Sequence, residues 1–249
     1  MVAEQAAALP EPAARPRLGP VALVVRTLGE LLITAGVVVL LFAAYQLVWT
    51  TVTAQHAQRQ IVAALRHQWA QEPPPGVAGP IPTPAPGQAF ALLLIPRLGR
   101  GFVVPVVQGV TLPDLHRGVG HYPASALPGG VGNFAVAGHR ATNGQPFVDL
   151  DAMRPGDAVV VETAVAWFTY RVTQPWILVA PTDVSVVLPV PGRPGVAPTQ
   201  RLLTLTTCNP RWASYQRLIV YGRLVAAQPR RAGELPAALV GAGYAGAVS

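Results

Sequence analysis

Eighteen consecutive residues, Leu31 to Val48, carry no formal charge, and this run limits what the chain can become more than any other feature. At about 1.5 Å per residue, a helix of that length reaches about 27 Å, close to the hydrocarbon thickness of a bilayer. Tyr45 and Trp49 fall near its far end, where amphipathic aromatic rings favour the interface. A cleaved signal peptide is the rival reading, but its apolar region is normally shorter, and no small-x-small cleavage site closes this one. The run therefore reads as an uncleaved transmembrane anchor over residues 21–49. Arg15, Arg17 and Arg26 precede the run and the next arginine is Arg59, so the positive-inside rule predicts a cytoplasmic N-terminus with the bulk of the chain outside.

The remaining residues must build any folded domain without that segment. Residues 1–20 are rich in Ala and Pro and read as a disordered tail. Ile61, Leu65 and Trp69 recur every four residues and predict a short helix within 50–71, read as a stalk, with His56 and His67 solvated. From Glu72 to Gly87 the prolines exclude a helix or an interior strand and leave a semi-rigid extended spacer. Residues 50–87 are thus stalk and linker, and the folded domain is expected over 88–226. Residues 227–249 read as a flexible tail, whose apolar segment is too short and too rich in Gly and Ala for a second span.

Within the domain, short β-branched and leucine-rich runs alternate with Gly and Pro. The expected strands are 90–95, 103–107, 133–137, 158–163, 167–173, 177–180, 202–207 and 218–225, with helical turns near 112–117 and 146–153. Eight strands with little helical periodicity predict an all-β, closed or nearly closed barrel. The 18 basic residues are all arginine and outnumber 11 acidic ones, for a net charge of +7. They are scattered and not clustered with aromatics, which argues against nucleic acid. One cysteine excludes an intrachain disulfide and is poor material for structural zinc. Asp149, Asp151 and Asp157 come nearest to a carboxylate group, but such residues also cap turns, so neither metal nor cofactor is expected.

The lone thiol lies in Arg201-Leu-Leu-Thr-Leu-Thr-Thr-Cys208, at the end of a strand. Pro210 breaks the ladder after it, and a return strand opens at Arg217, so a thiol and a guanidinium sit at facing ends of neighbouring strands. In Gly132-Asn-Phe-Ala-Val-Ala-Gly-His-Arg140 a second short strand delivers His139 to its own mouth. A lone histidine is often no more than a hydrogen-bonded loop residue. Beside a lone cysteine in an extracellular barrel it points to a thiol and imidazole couple, in which thiolate attacks a carbonyl and imidazolium protonates the leaving amine.

These segments resemble the sortase family. The Thr-Leu-Thr-Thr-Cys208 strand, Arg217 opening the next, and Gly-His139-Arg followed by Gly-Gln-Pro-Phe occur in the family's order over roughly residues 88–226. The stretch Gly120-His-Tyr-Pro-Ala-Ser-Ala-Leu-Pro-Gly129 is most like class E sortases of high-GC Gram-positive bacteria. The resemblance implies an eight-stranded sortase barrel that cleaves a sorting signal of LAxTG or LPxTG type between Thr and Gly and passes the acyl group to a cell-wall amine. It implies Cys208 as nucleophile, His139 as general acid and then base, and Arg217 as donor to substrate backbone or oxyanion, with the productive ion pair a minor population.

Tyr122 matches a class E tyrosine associated with preference for Ala over Pro in the signal, although a tyrosine beside a proline also simply packs. Thr206 and Thr207 are candidates for lining the substrate groove. Asn209 stands where class E often has histidine, His116 and His121 are alternative imidazoles, Arg140 is structural or substrate-facing, and Arg211 and Arg223 are rivals to Arg217. The implied partners are secreted proteins with a C-terminal sorting signal, a peptidoglycan precursor amine and the bilayer. A hydrolytic peptidase on the same barrel, a pilus-polymerising enzyme and a catalytically silent scaffold are the alternatives. The lack of an Asp-Pro-Trp or Asp-Pro-Phe plug favours general anchoring over polymerisation.

Overall fold

A computed structural model describes residues 19–71, 81–231 and 233–244. All but the last two residues of the disordered tail expected over 1–20, and most of the proline spacer, fall outside the described residues, and Pro20 already belongs to a helix. The chain divides into two compact units, Met1–Gln46 and Leu47–Ser249.

In the first unit, α1 (Pro20–Ala44) begins with proline at its first turn, where the missing N–H costs nothing. It is long and apolar enough to cross a membrane. Its charges sit at the entrance, where Arg26 Nε donates to Glu30 at 2.8 Å.

The second unit opens with α2 (Thr50–Gln71) and continues through nine strands. These are β1 (Ala89–Leu94), β2 (Val103–Gln108), β3 (Val119–His121), β4 (Gly132–Ala137), β5 (Ala158–Thr163), β6 (Ala166–Val172), β7 (Ile177–Val179), β8 (Arg201–Asn209) and β9 (Gln216–Pro229). The order β6-β5-β1-β2-β3-β4-β8-β9 closes on itself because β9 also pairs with β6, which gives an eight-stranded barrel. Two details differ from the expected strands. β3 belongs to the ring although its three residues show no alternation to betray them. β7 lies outside the ring, paired only with the first half of β9.

Phe134, Val136, Leu203, Leu205, Leu218 and Val220 point inward from β4, β8 and β9 and are almost fully buried with Leu93, Val106 and Val161. Two further elements use the opposite, outer face. Leu65 and Trp69 of α2 pack with Leu92, Leu94, Val160 and Trp167, so the helix read as a stalk lies against the barrel. Leu239 of α4 (Ala237–Val240) and Tyr244 join the same cluster, and the Tyr244 hydroxyl donates to the Gly99 carbonyl at 2.7 Å. The segment read as a flexible tail is therefore packed through its aromatic end.

Glu162, with no exposed surface, fixes the C-terminal end of α2. Arg230 Nε donates to it at 3.0 Å, and Arg230 Nη1 reaches the Trp69 carbonyl at 3.3 Å, capping the last turn of the helix. Burial still outweighs both neighbouring arginines and raises the Glu162 pKa. Trp69 is 4% exposed beneath the Arg230 guanidinium. Trp69→Ala is expected to lower unfolding stability by about 3 kcal/mol in denaturant titrations of the whole chain.

His121 points into the barrel between the Phe90 and Phe134 rings, with Nδ1 2.6 Å from Gln108 Oε1 and Nε2 2.9 Å from Ser125 Oγ. Burial holds its pKa below the ordinary 6.5. The unfolded chain binds that proton more readily, so this contribution to stability is full above the ordinary value and declines as pH falls below it. Melting temperature is expected to drop between roughly pH 7 and 5, and to drop less in His121→Gln.

Candidate active site

The site is built by strand parity. In β8, Leu203, Leu205 and Thr207 alternate with Thr204, Thr206 and Cys208, and the leucines face the core. Cys208 and Thr206 are thus on the outer face, and Thr207 is on the inner one. β4 runs parallel to β8 with Ala137 opposite Thr206, so the next outward residue on that side, His139, leaves level with Cys208. β9 runs antiparallel to β8 with Arg217 directly opposite Cys208. Tyr122 follows β3, where His121 pairs with inward Val136, and its N–H donates to the Ala135 carbonyl at 3.0 Å. Four side chains from the ends of four adjacent strands thus share one outer face. His121 falls on the opposite parity and is excluded from that group.

The two strand mouths are tied together by main chain. Gly138 N–H donates to the Thr206 carbonyl at 3.1 Å, and the Thr207 hydroxyl donates to the Gly138 carbonyl at 2.7 Å. Thr207 therefore spends its hydroxyl on holding β4 against β8. A Cβ at position 138 would come within 2.6 Å of the Phe147 ring, so only glycine lets that ring close in beneath the histidine. Phe147 N–H in turn donates to the His139 carbonyl at 3.0 Å and closes the loop 139–147 at its base.

Arg140, 6% exposed, braces the site from behind. Its Nη1 donates to Asn209 Oδ1 and its Nη2 pairs with Asp151 at 2.8 Å. Asn209 passes the connection on, donating to Gln216 Oε1 at 3.2 Å. The residues flanking His139, Cys208 and Arg217 thus form one hydrogen-bonded chain. The rival arginines are placed elsewhere: Arg211 bonds the Val148 carbonyl and Asp149, and Arg223 is exposed far along β9. Asp149, Asp151 and Asp157 each face their own arginine and do not converge.

Electrostatics agree with the geometry. Burial, and secondly the nearby His116 ring at 5.9 Å, hold the His139 pKa below 6.5, so its neutral form predominates at pH 7. The Tyr122 pKa is raised by burial, with Arg217 opposing and Cys208 adding to the shift, which places the phenol within electrostatic range of both. Arg217 Nη1 donates to the Ser214 and Gln216 carbonyls at 2.8 and 3.0 Å, fixing the planar fork at the mouth of β9. Further along the same outer face lies a cavity of about 420 Å³ lined by Val179, Val186, Pro191, Leu202 and Tyr221.

Sequence reasoning passed over Gln58 and Asn143, which contact the histidine loop. Asn143 Nδ2 lies 3.4 Å from His139 Nε2, and Gln58 reaches the Asn143 carbonyl from α2. The signal for Gln58 was its place one turn ahead of Val62 and two ahead of Leu65, on the helix's buried stripe.

Comparison with known proteins agrees with this architecture. The Sortase domain family matches residues 93–225. Sortase SrtE1 of Streptomyces coelicolor is 42% identical over 86% of this chain, which spans 61% of that protein's length. Sortase SrtE2 of the same organism is 35% identical over 81% of this chain and 82% of its own length. The structure of sortase E from Streptomyces avermitilis superposes with a TM-score of 0.56 at 45% identity, covering 62% of this chain and 99% of that one. A sortase structure from Corynebacterium diphtheriae superposes at 0.62 with 33% identity, over 66% of this chain and 98% of that one. The chain belongs to the sortase family, and class E is the pattern it fits.

Proposed function

We propose that this chain is a membrane-anchored cysteine transpeptidase that cuts a sorting signal between Thr and Gly and transfers the acyl group to a cell-wall amine. The observation that carries the reading is the direct register pairing of Cys208 with Arg217, on the same outer face as His139. Cys208 thiolate attacks the threonine carbonyl, and the carbonyl electrons move onto oxygen. Arg217, whose Nη1 is already held by main chain, turns the rest of its fork to that oxyanion. His139 in its imidazolium form gives a proton to the departing glycine nitrogen, leaving a thioester. Neutral His139 then takes a proton from the incoming amine as that amine displaces the Cys208 thiolate. A histidine held below its ordinary value makes the first, acidic step depend on a minor protonation state.

Tyr122 is the residue proposed to read the second signal position. Its half-buried phenol beside Cys208 and Arg217 narrows the site and favours Ala over the bulkier, rigid Pro. Thr206 shares the outer face with Cys208 and is proposed to line the groove, whereas Thr207, turned inward, contributes through Gly138. The anchor assignment rests on α1, and the orientation on Arg15 and Arg17 ahead of it and Arg26 near its entrance. The catalytic unit then faces the cell wall, where its clients are secreted proteins bearing the signal. The domain limits proposed on this reading are residues 21–49 for the anchor and 88–226 for the catalytic barrel.

The test is transpeptidation by the full-length chain in detergent, with quenched Leu-Ala-x-Thr-Gly and Leu-Pro-x-Thr-Gly peptides and an amine acceptor. Amine-linked product is expected with the Ala peptide preferred, and Cys208→Ala should fall to background. Arg217→Ala should lose about 100-fold in kcat/KM, and Arg217→Lys should recover little of it because a point charge cannot replace the fork. Hydrolysed product alone would assign a peptidase instead. Tyr122→Ala should erase the preference between the two peptides while retaining cleavage; an unchanged preference would remove Tyr122 from specificity.

A further inference from the structure

Three consecutive residues in the histidine loop occupy the left-handed region: Asn143, Gly144 and Gln145, at φ of 54°, 84° and 50°. For the two that carry a Cβ this conformation is strained, so it persists only if its surroundings hold it. Those surroundings are supplied by α2, from the outside of the barrel. Gln58 Nε2 lies 3.3 Å from the His116 carbonyl and 3.4 Å from the Asn143 carbonyl. Gln55 Nε2 reaches the Gly144 carbonyl at 3.4 Å, and Gln145 Nε2 reaches Thr51 Oγ1 at 3.4 Å. Gln58 is 5% exposed on a helix whose other polar side chains mostly face solvent. A Cβ at position 144 would stand 2.7 Å from its Nε2, so the loop is shaped around the inserted amide.

The geometry points to Gln58 as a positioning residue for the catalytic imidazole. Its amide joins the end of α3 (Leu112–Arg117), which carries His116, to the loop that carries His139. Asn143, held by its own carbonyl, then turns Nδ2 to His139 Nε2. The helix that follows the anchor is thus part of the working site, and its contribution is the orientation of a ring it does not touch. This inference rests on the acid–base role of His139 proposed above.

The physical basis is that an amide donor facing two carbonyls is not replaceable by a residue of similar size without donors. A carboxylate in the same place repels both oxygens, and alanine leaves them without this donor in a part-buried site. Either change frees the loop to relax from its left-handed run. Small displacements of a catalytic group reduce turnover while leaving substrate contacts elsewhere unchanged.

The experiment uses the full-length chain in detergent, with histidine ring carbons isotopically labelled, and compares Gln58→Ala, Gln58→Glu and His139→Ala with the parent. Steady-state transpeptidation, histidine ring resonances and melting temperature are read on each. Both Gln58 variants are expected to lose about tenfold in kcat with KM held within about twofold, and to shift the His139 resonance. Gln58→Glu preserves side-chain volume, so it keeps the test valid if Gln58→Ala unfolds. Parent-like kcat and His139 resonance in a folded Gln58 variant, beside an inactive His139→Ala, would overturn the positioning role and leave the catalytic reading standing. A rise in KM at constant kcat would overturn it as well. Full activity in His139→Ala would instead remove the reading on which the inference depends.

Discussion

The parallel pairing of β4 with β8 is the contact on which the rest depends. Antiparallel neighbours can be joined by a short turn, but these parallel strands are separated in sequence by β5, β6 and β7. Their register, with Ala137 opposite Thr206, decides at once which residues are inside and which are outside. A slip of one residue would bury the imidazole's strand face and expose Phe134 and Val136. The same alternation that fills the core with Leu203 and Leu205 therefore delivers Cys208 to the surface. Core packing and site assembly are two readings of one register.

Much of this was visible in the residues before any coordinates. Strands that alternate strongly, and a cysteine that ends one of them, carry their own signal, and so did the Gly-His139-Arg turn. What escaped notice lacked local periodicity. Val119-Gly120-His121 is too short to alternate and is made a strand by β2 on one side and β4 on the other. β7 has strand composition, but only the ring's closure between β6 and β9 decides that it stays outside. The stripe of Ile61, Leu65 and Trp69 announced a helix without naming what would cover it. Its partner, the outer surface of β1, β5 and β6, is a product of the whole fold.

The polar framework was the least legible part. Arg140 and Asn209 stood out in sequence only singly and Gln216 not at all, yet across 69 and then seven residues they connect the bases of the strands that carry His139, Cys208 and Arg217. Hydrogen bonds of this kind depend on distances between strand ends, which no pattern of residue types encodes. The glycines were a partial clue. Gly138 and Gly144 mark where a ring and an amide come too close for any Cβ, but the identity of the approaching group is known only from the fold.

Closure of the ring by β9 has a consequence beyond catalysis. Its fourteen residues pair with β8 and β7 at one end and with β6 at the other, so a single strand seals the barrel. The edge left over is β7, three residues long and followed within a few positions by Pro181. A sheet presenting so little unpaired backbone offers neighbouring copies almost no template for strand addition. The β6–β9 seam is where that protection would fail first. If it parts, two long edges become available at once, and self-association between copies starts from the strand that also carries Arg217.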